Sequence, residues 1–122
     1  MNGWILFAHG SSDPDWSQPM RRIAARIADR WGDQAVALAF LERQRPSLED
    51  AAGMLIQNGA STITVVPMFL GMGGHLKNDL PVLIDALRLR WAAIDFRLTA
   101  PVGEADLVVS AIVDHVSGLA PS

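Results

Sequence analysis

The chain has 122 residues, 50% of them hydrophobic and 19% charged, which is enough apolar material for one core and too little length for two. This balance excludes a disordered chain, and the formal net charge of −3 argues against general nucleic-acid binding. The absence of cysteine excludes disulfides, thiolate metal sites and a cysteine nucleophile.

Targeting and membrane segments are not expected. No apolar run approaches the roughly 18 residues needed to cross a bilayer. The amino-terminal apolar stretch, residues 4–8, is too short for a signal peptide and is not preceded by basic residues. We therefore predict a cytoplasmic protein of a single domain, residues 1–122, without a membrane or nucleic-acid partner.

The first half of the chain alternates apolar runs with amphipathic stretches. Residues 4–8 and 35–41 are continuous apolar runs and predict buried strands. Between them, apolar residues at helical spacing predict a helix over 20–31 that Gly32 ends. Ser47 precedes a second helical pattern, with Asp50 three residues later in a near capping box, and Gly59 ends that helix.

The second half repeats the alternation. Residues 62–67 are rich in β-branched side chains and predict a third strand, and residues 68–75 form a glycine-rich loop. A third helix follows from residue 76, in which Pro81 is tolerable only within the first turn. Residues 94–98 alternate like an edge strand, and residues 105–116 predict a last helix with one apolar face.

Strands that alternate with helices predict βαβ units and a parallel sheet. Right-handed crossovers place helices on both faces of such a sheet. We expect a three-layer α/β/α domain with a four-stranded parallel sheet in the order 2-1-3-4, a shortened flavodoxin-like architecture.

Three candidate metal-handling side chains follow the first three predicted strands. His9 comes directly after the first strand, Glu42 after the second, and His75 ends the loop after the third. Ligands of open parallel sheets lie beyond the carboxyl ends of the strands, so two imidazoles and one carboxylate can converge there on one cation. A histidine at a strand end is also a common loop-stabilising hydrogen bonder, and Glu42 is equally explained as a solvated carboxylate.

The loop over residues 68–75 combines glycine with apolar side chains. We expect Gly71, Gly73 and Gly74 to adopt positive φ and to let the backbone approach a flat ligand. The apolar residues beside them suit a large hydrophobic ligand face or, equally well, a subunit interface. The candidate ligand-contacting residues are Gly10, Ser11, Met68, Phe69, Leu70, Gly73 and Gly74.

Two segments resemble a known family. The runs Phe7-Ala8-His9-Gly10-Ser11-Ser12-Asp13-Pro14 and Pro67-Met68-Phe69-Leu70-Gly71-Met72-Gly73-Gly74-His75-Leu76-Lys77-Asn78-Asp79-Leu80-Pro81 closely resemble the small CbiX-type sirohydrochlorin chelatases. These are class II chelatases of cobalamin and sirohaem synthesis. The run Ala39-Phe40-Leu41-Glu42 is similar to the family's second strand, so the resemblance covers essentially the whole chain.

The resemblance implies an activity and roles for particular residues. It implies insertion of a divalent cation, Co²⁺, Fe²⁺ or Ni²⁺, into sirohydrochlorin, with no organic cofactor and with a homodimer as the assembly. It implies that His9 and His75 bind the metal and assist proton removal from the pyrrole nitrogens, and that Glu42 is an auxiliary acid. Ser12 stands where the family commonly has an arginine, so Arg43, Arg45 or Lys77 is the alternative source of positive charge.

Three alternative functions compete with a chelatase. A metal or tetrapyrrole carrier would use the same residues without turnover. A phosphate or nucleotide binder would use residues 9–12, which lack both the Walker lysine and the G-x-G-x-x-G fingerprint. A Ser11 hydrolase would need a G-x-S-x-G elbow, which the sequence does not contain.

Overall fold

A four-stranded parallel sheet forms the centre of the computed structural model, which describes residues 1–121. The strands are β1 (Asn2–Ala8), β2 (Val36–Phe40), β3 (Thr62–Pro67) and β4 (Asp95–Leu98). Their order is β2-β1-β3-β4, and all three neighbouring pairs are parallel. The fold class and strand order expected from the sequence are confirmed.

Four helices connect or follow the strands. They are α1 (Gln18–Trp31), α2 (Leu48–Gln57), α3 (Gly74–Arg90) and α4 (Asp106–Ser117). Short 3₁₀ turns precede α1, β2 and α4 at Pro14–Ser17, Asp33–Ala35 and Val102–Glu104. No helix within residues 1–121 is both long and apolar enough to cross a membrane.

The core lies between one face of the sheet and the two helices α2 and α3. Alternate strand residues point into it because successive side chains of a strand point to opposite faces. Its fully buried large residues include Ile5, Phe7, Leu55, Leu80 and Ile84. Burial of this apolar surface holds α2 and α3 on the sheet.

The opposite face of the sheet is covered less completely. Helix α1 packs there against β2, but none of its residues is buried. Trp31 at its end lies beside Trp4 of β1, with the ring centroids 5.2 Å apart, and is 61% exposed. This outer layer is therefore thin, and its apolar side chains remain partly accessible to solvent.

The predicted helix ends at Gly32 and Ser47 are confirmed. Gly32 has φ 98° and donates its N–H to the Ala28 carbonyl at 2.7 Å, closing α1. The Ser47 hydroxyl accepts the Asp50 N–H at 3.1 Å and caps α2.

Helix α3 differs from the prediction at its start and at its proline. It begins at Gly74, so His75 lies in its first turn instead of ending the loop, and Pro81 stands inside the helix. A proline there removes the N–H that the Lys77 carbonyl would accept. Lys77 and Pro81 are both exposed, so water can solvate that carbonyl. The expectation that Pro81 is tolerable only in the first turn of the helix is therefore wrong.

The edge strand β4 carries charge on its exposed positions. Asp95 and Arg97 are exposed and form an ion pair of 2.9 Å along the strand, while Phe96 between them is buried. The predicted edge position of this strand is confirmed, and its alternation follows from having one face in solvent.

Candidate functional site

Backbone pairing between β1 and β2 continues past the ends of both strands. The Leu41 N–H donates to the Ala8 carbonyl at 2.9 Å, and the Glu42 N–H donates to the His9 carbonyl at 3.1 Å. Both connections therefore leave the sheet side by side. This pairing brings His9 and Glu42, which are distant in sequence, to one point at the carboxyl edge of the sheet.

The side chains of His9 and Glu42 meet directly. The His9 Nε2 atom lies 3.0 Å from the Glu42 Oε1 atom, within hydrogen-bond distance. This contact orients the two side chains toward each other, and because they are 53% and 50% exposed they remain open to solvent. An imidazole and a carboxylate in this position can bind a cation and exchange protons with water.

Gly10 makes this approach possible. Its φ is +97°, in the region that residues with a side chain seldom adopt. A Cβ atom at Gly10 would lie 1.8 Å from the Glu42 carbonyl oxygen. The glycine next to His9 therefore serves a steric purpose, and it is the site glycine that requires positive φ.

A polar network that the sequence did not indicate fixes the loop after His9. The Ser11 N–H donates to the Gln44 Oε1 atom at 3.1 Å, and the Gln44 amide donates to the Ser17 hydroxyl at 3.3 Å. Ser17 is fully buried and also accepts from the Arg21 Nε atom at 3.2 Å. The only sequence signal for Gln44 is its place two residues after Glu42, which is too weak to predict a contact.

His75 does not complete a three-residue metal site with His9 and Glu42. It is exposed in the first turn of α3, after the adjacent strand β3. Within residues 1–121, no three His, Asp or Glu side chains lie close enough together to hold one metal ion. The structure thus joins His9 with Glu42, and it does not bring His75 into one three-residue cluster with them as we expected.

The apolar residues of the 68–75 loop do not form one face. Phe69 packs edge-on against Phe7, with ring centroids 6.4 Å apart, and Met72 packs on the core. Met68 lies on the opposite side of the sheet beside Trp4. Leu70 is 72% exposed and stays available to a ligand. The hydrophobic ligand face expected of this loop is therefore divided between the core, the outer face of the sheet and solvent.

The glycines of this loop act differently from the expectation. Gly71, Gly73 and Gly74 do not have positive φ, and Gly73 has φ −71° as the N-cap of α3. Their surroundings are open, since nothing lies within 4 Å of a Cβ built on any of the three. The expectation that these glycines adopt positive φ is therefore wrong. They instead leave the backbone of the loop exposed.

A close backbone contact anchors the loop from the carboxyl-terminal side. The Gly103 N–H donates to the Phe69 carbonyl at 3.0 Å, and a Cβ at Gly103 would lie 2.0 Å from the Leu70 carbonyl oxygen. Gly103 belongs to the turn that leads into α4. The sequence contained no signal for this contact, because a single glycine in a loop predicts nothing about its neighbours.

Positive charge lies next to the His9–Glu42 pair. The Arg43 Nε atom is 3.9 Å from the Glu42 Oε1 atom, and Arg43 has the unusual backbone angle φ 65°. Ser12, Arg45 and Lys77 are exposed. Arg43 is the basic residue that the structure brings to this pair.

Comparison with protein families and curated proteins gives a consistent result. The CbiX family model matches residues 3–119. A sirohydrochlorin ferrochelatase from chloroplasts of Arabidopsis thaliana is 28% identical over 94% of this chain and 51% of its own length. A sirohydrochlorin cobaltochelatase from Saccharolobus solfataricus is 28% identical over 96% of this chain and 94% of its own length.

Solved structures match the whole architecture. A CbiX protein from Marinobacter aquaeolei VT8 has a TM-score of 0.84 and 32% identity, over 97% of this chain and 96% of that protein. The sirohydrochlorin chelatase SirB from Bacillus subtilis subspecies spizizenii, solved in complex with cobalt, has a TM-score of 0.78 and 27% identity. The chain spans about half of the plant and SirB relatives, 51% and 52%, and nearly all of the other two.

Proposed function

This chain belongs to the CbiX family, and from that premise we propose that it inserts a divalent metal ion into the tetrapyrrole sirohydrochlorin, as a cobaltochelatase or ferrochelatase. Relatives that match nearly the whole chain carry the name sirohydrochlorin cobaltochelatase, and one of about twice its length is named a ferrochelatase. The proposal concerns this chain as a single chelatase domain over residues 1–122.

The contact between His9 and Glu42 is the observation that carries the proposal. Two ligand atoms that each lie about 2.1 Å from one cation, at right angles, are about 3.0 Å apart. The His9 Nε2 and Glu42 Oε1 atoms have this separation of 3.0 Å. The pair supports capture of a hydrated cation with little movement of either side chain.

The chemistry of insertion needs both a metal ligand and a proton acceptor. The divalent cation replaces two protons on the inner pyrrole nitrogens, so each turnover releases two protons. When the metal leaves for the ring, the His9 imidazole and the Glu42 carboxylate are free to accept those protons. Their half-exposed side chains then return the protons to solvent.

We propose that His75 acts from the connection that follows β3, at the same carboxyl edge of the sheet as His9 and Glu42. It is exposed beside Gly73 and Gly74, where exposed backbone leaves room for a flat ring. We propose that the ring lies against this segment and Leu70, with Gly10 and Ser11 on the His9 side. His75 would then bind the metal or take a proton only once the substrate is present, as the third group of a site completed by its ligand.

The metal and the assembly belong to the same proposal. SirB structures with cobalt and with Fe³⁺ support cobalt or iron as the substrate metal. Ni²⁺ is a further proposed substrate, since a site of imidazole and carboxylate groups distinguishes these ions poorly. We propose cobalamin or sirohaem synthesis as the product's destination, a homodimer as the working form, and no organic cofactor. A cytoplasmic location stays a prediction.

An anaerobic insertion assay tests the proposal. Sirohydrochlorin in excess over protein is mixed with Co²⁺, Fe²⁺ or Ni²⁺, and the absorbance of the metal complex is followed. We expect multiple turnovers with the wild type and a loss of at least 10²-fold in rate for His9→Ala or His75→Ala. His115→Ala, which removes the remaining histidine from the far helix α4, is the matched control and should keep the wild-type rate.

A carrier of metal or tetrapyrrole is the competing function. It would bind sirohydrochlorin or Co²⁺ in stoichiometric amounts, and the metal complex would form at the uncatalysed rate. That result with well-folded protein would overturn the chelatase proposal. Wild-type turnover in both histidine variants would instead overturn the assignment of the site.

A further inference from the structure

Arg43 has a backbone conformation that does not suit its side chain. Its φ is 65°, and among residues 1–121 it is the one residue other than glycine with a positive φ. Glycine adopts this left-handed region without strain and asparagine tolerates it, whereas the Cβ atom of an arginine makes it unfavourable. A long side chain at this position therefore needs a reason beyond the shape of the turn.

The turn explains the conformation of Arg43 but not its guanidinium. The residue before it, Glu42, contacts the His9 imidazole at 3.0 Å. The residue after it, Gln44, accepts the Ser11 N–H on its side-chain oxygen at 3.1 Å. Both neighbours of Arg43 thus face the loop that follows β1. Glycine at position 43 would allow the same turn with less strain.

Pairing with Glu42 does not account for the guanidinium either. The Arg43 Nε atom is 3.9 Å from the Glu42 Oε1 atom, beyond hydrogen-bond distance, and His9 already contacts that oxygen. The Arg43 side chain is 63% exposed, and exposed ion pairs of this kind contribute little to stability. Most of the side chain is thus accessible to a ligand at the edge of the candidate site.

A cation at this position opposes capture of the metal alone. A metal ion bound by the Glu42 Oε1 atom would lie about 2.1 Å from it, which places the Arg43 Nε atom within about 6 Å of the metal. Like charges at this separation repel each other. The advantage of the guanidinium therefore has to come from a negatively charged ligand that binds beside the metal.

We propose that Arg43 binds a carboxylate on the rim of the tetrapyrrole and so holds the ring over the His9–Glu42 pair. This inference rests on the proposed function, in which sirohydrochlorin is the substrate. The acetate and propionate groups of sirohydrochlorin lie at the rim, several ångströms from the central nitrogens, and Arg43 stands at a similar remove from the metal-capturing oxygen. Guanidinium and carboxylate form charge-assisted, often bidentate hydrogen bonds, which fix orientation as well as increase affinity.

Arg45 offers the same charge in the same loop without the same position. It is exposed two residues after Arg43, but it lines a groove along β2 together with Arg21. Of the two arginines in this part of the described chain, Arg43 is the one that lies within 4 Å of the Glu42 carboxylate. Arg45→Gln therefore makes an equal change in net charge and serves as the matched control.

Equilibrium binding separates this role from turnover. Metal-free sirohydrochlorin is titrated into the protein without metal, and the quenching of the fluorescence of its tryptophans is followed. We expect Arg43→Gly to weaken binding by about 10-fold at low salt, Arg43→Lys to recover part of the loss, and Arg45→Gln to stay within about 2-fold of the wild type. At about 1 M salt the differences should shrink, because the Debye length falls to about 3 Å.

Cobalt binding and thermal stability should change in the opposite direction. Without tetrapyrrole, Arg43→Gly should bind Co²⁺ about 3- to 10-fold more tightly at low salt, because a like charge is removed. Its melting temperature should rise by about 1–4 °C, because glycine relieves the left-handed strain. A lower melting temperature together with weaker binding of both ligands would show a structural role for Arg43 and overturn the proposal.

The failure of this inference can be told apart from the failure of the proposed function. Unchanged sirohydrochlorin affinity in Arg43→Gly, or an equal loss in Arg45→Gln, would overturn the assignment of Arg43 even in a protein that inserts metal. Binding that depends on Arg43 in a wild type that never inserts metal would support this inference and contradict the chelatase. A wild type that binds no sirohydrochlorin would overturn both.

Discussion

His9 and Glu42, 33 positions apart in the chain, face each other with Nε2 and Oε1 3.0 Å apart at the ends of neighbouring parallel strands. Two backbone hydrogen bonds beyond the strands fix this relationship, so it is a property of the sheet and not of loop flexibility. Both groups can therefore serve the proposed reaction without a conformational change.

Replacing the carboxylate isolates its chemical role. We expect Glu42→Gln to lower the insertion rate by about 10²-fold, because the amide keeps the shape but neither carries charge nor accepts a proton. The pair is half exposed, so its loss should change the free energy of unfolding by at most about 1 kcal/mol. Insertion kinetics and urea unfolding measure the two effects.

The control for that substitution is Asp85→Asn. Asp85 is an exposed carboxylate of α3, paired with Arg88 at 2.9 Å on the same helix. It should leave the insertion rate at the wild-type value. Equal insertion rates for Glu42→Gln and Asp85→Asn would contradict the proposed role of Glu42 in the reaction.

Gly10→Ala tests the close approach of the two backbones. The added Cβ would meet the Glu42 carbonyl oxygen at 1.8 Å and would sit at φ +97°. We expect a loss of about 2–4 kcal/mol in the free energy of unfolding and a strong loss of insertion, since strain and displacement add. Thermal and urea unfolding together with the insertion assay provide the measurements.

Gly53→Ala is the matched glycine control. Gly53 lies inside α2, and a Cβ there has its nearest neighbour, the Trp91 ring, at 3.8 Å. Alanine should stabilise the protein by about 0.5–1 kcal/mol through helix propensity. If Gly10→Ala were as stable as Gly53→Ala, the steric argument for Gly10 would fail.

Gln44→Ala tests the network behind the His9 loop. It removes the acceptor of the Ser11 N–H and the donor to the buried Ser17 hydroxyl. We expect a cost of about 1–2 kcal/mol in unfolding free energy and a lower insertion rate, because the loop after His9 loses its support. Gln57→Ala, at the exposed end of α2, should change neither quantity. Identical behaviour of the two variants would contradict a positioning role for Gln44.

Leu80→Ala tests where the stability of the fold lies. Leu80 is fully buried beneath the sheet on α3, and its truncation should cost about 2–5 kcal/mol. Leu89→Ala, on the same helix but 86% exposed, should cost less than about 0.5 kcal/mol. Urea unfolding of both variants compares the two positions directly, and similar midpoints would contradict this assignment of the core.

The elements that the sequence predicts well are those with a strong local pattern. The apolar runs at 4–8 and 62–67, the glycine at 32 and the serine at 47 all specify structure through nearby residues. The parallel order follows from the alternation of strands and helices. These features depend on periodicity and capping, which a single sequence records.

The details of the site depend on contacts between distant segments. Gln44 with Ser17, and Gly103 with Leu70, meet only because β-strands and turns far apart in sequence are packed together. The chemistry of His9 and Glu42 follows from the residue types, whereas the sequence does not show that His75 fails to join them in one three-residue metal cluster. The position of Pro81 inside α3 could not be predicted, because the free energy that a proline costs a helix depends on solvent access to the unpaired carbonyl, which the sequence does not show.

The charged edge of β4 has a consequence for how copies of the molecule meet. An exposed strand edge is a template for continuous pairing into filaments, and the side chains of Asp95 and Arg97 oppose it by placing fixed charge there. Concentrated solutions should therefore resist fibril growth through this edge. Replacing both Asp95 and Arg97 with uncharged residues should increase fibril formation, which thioflavin binding followed over time would reveal.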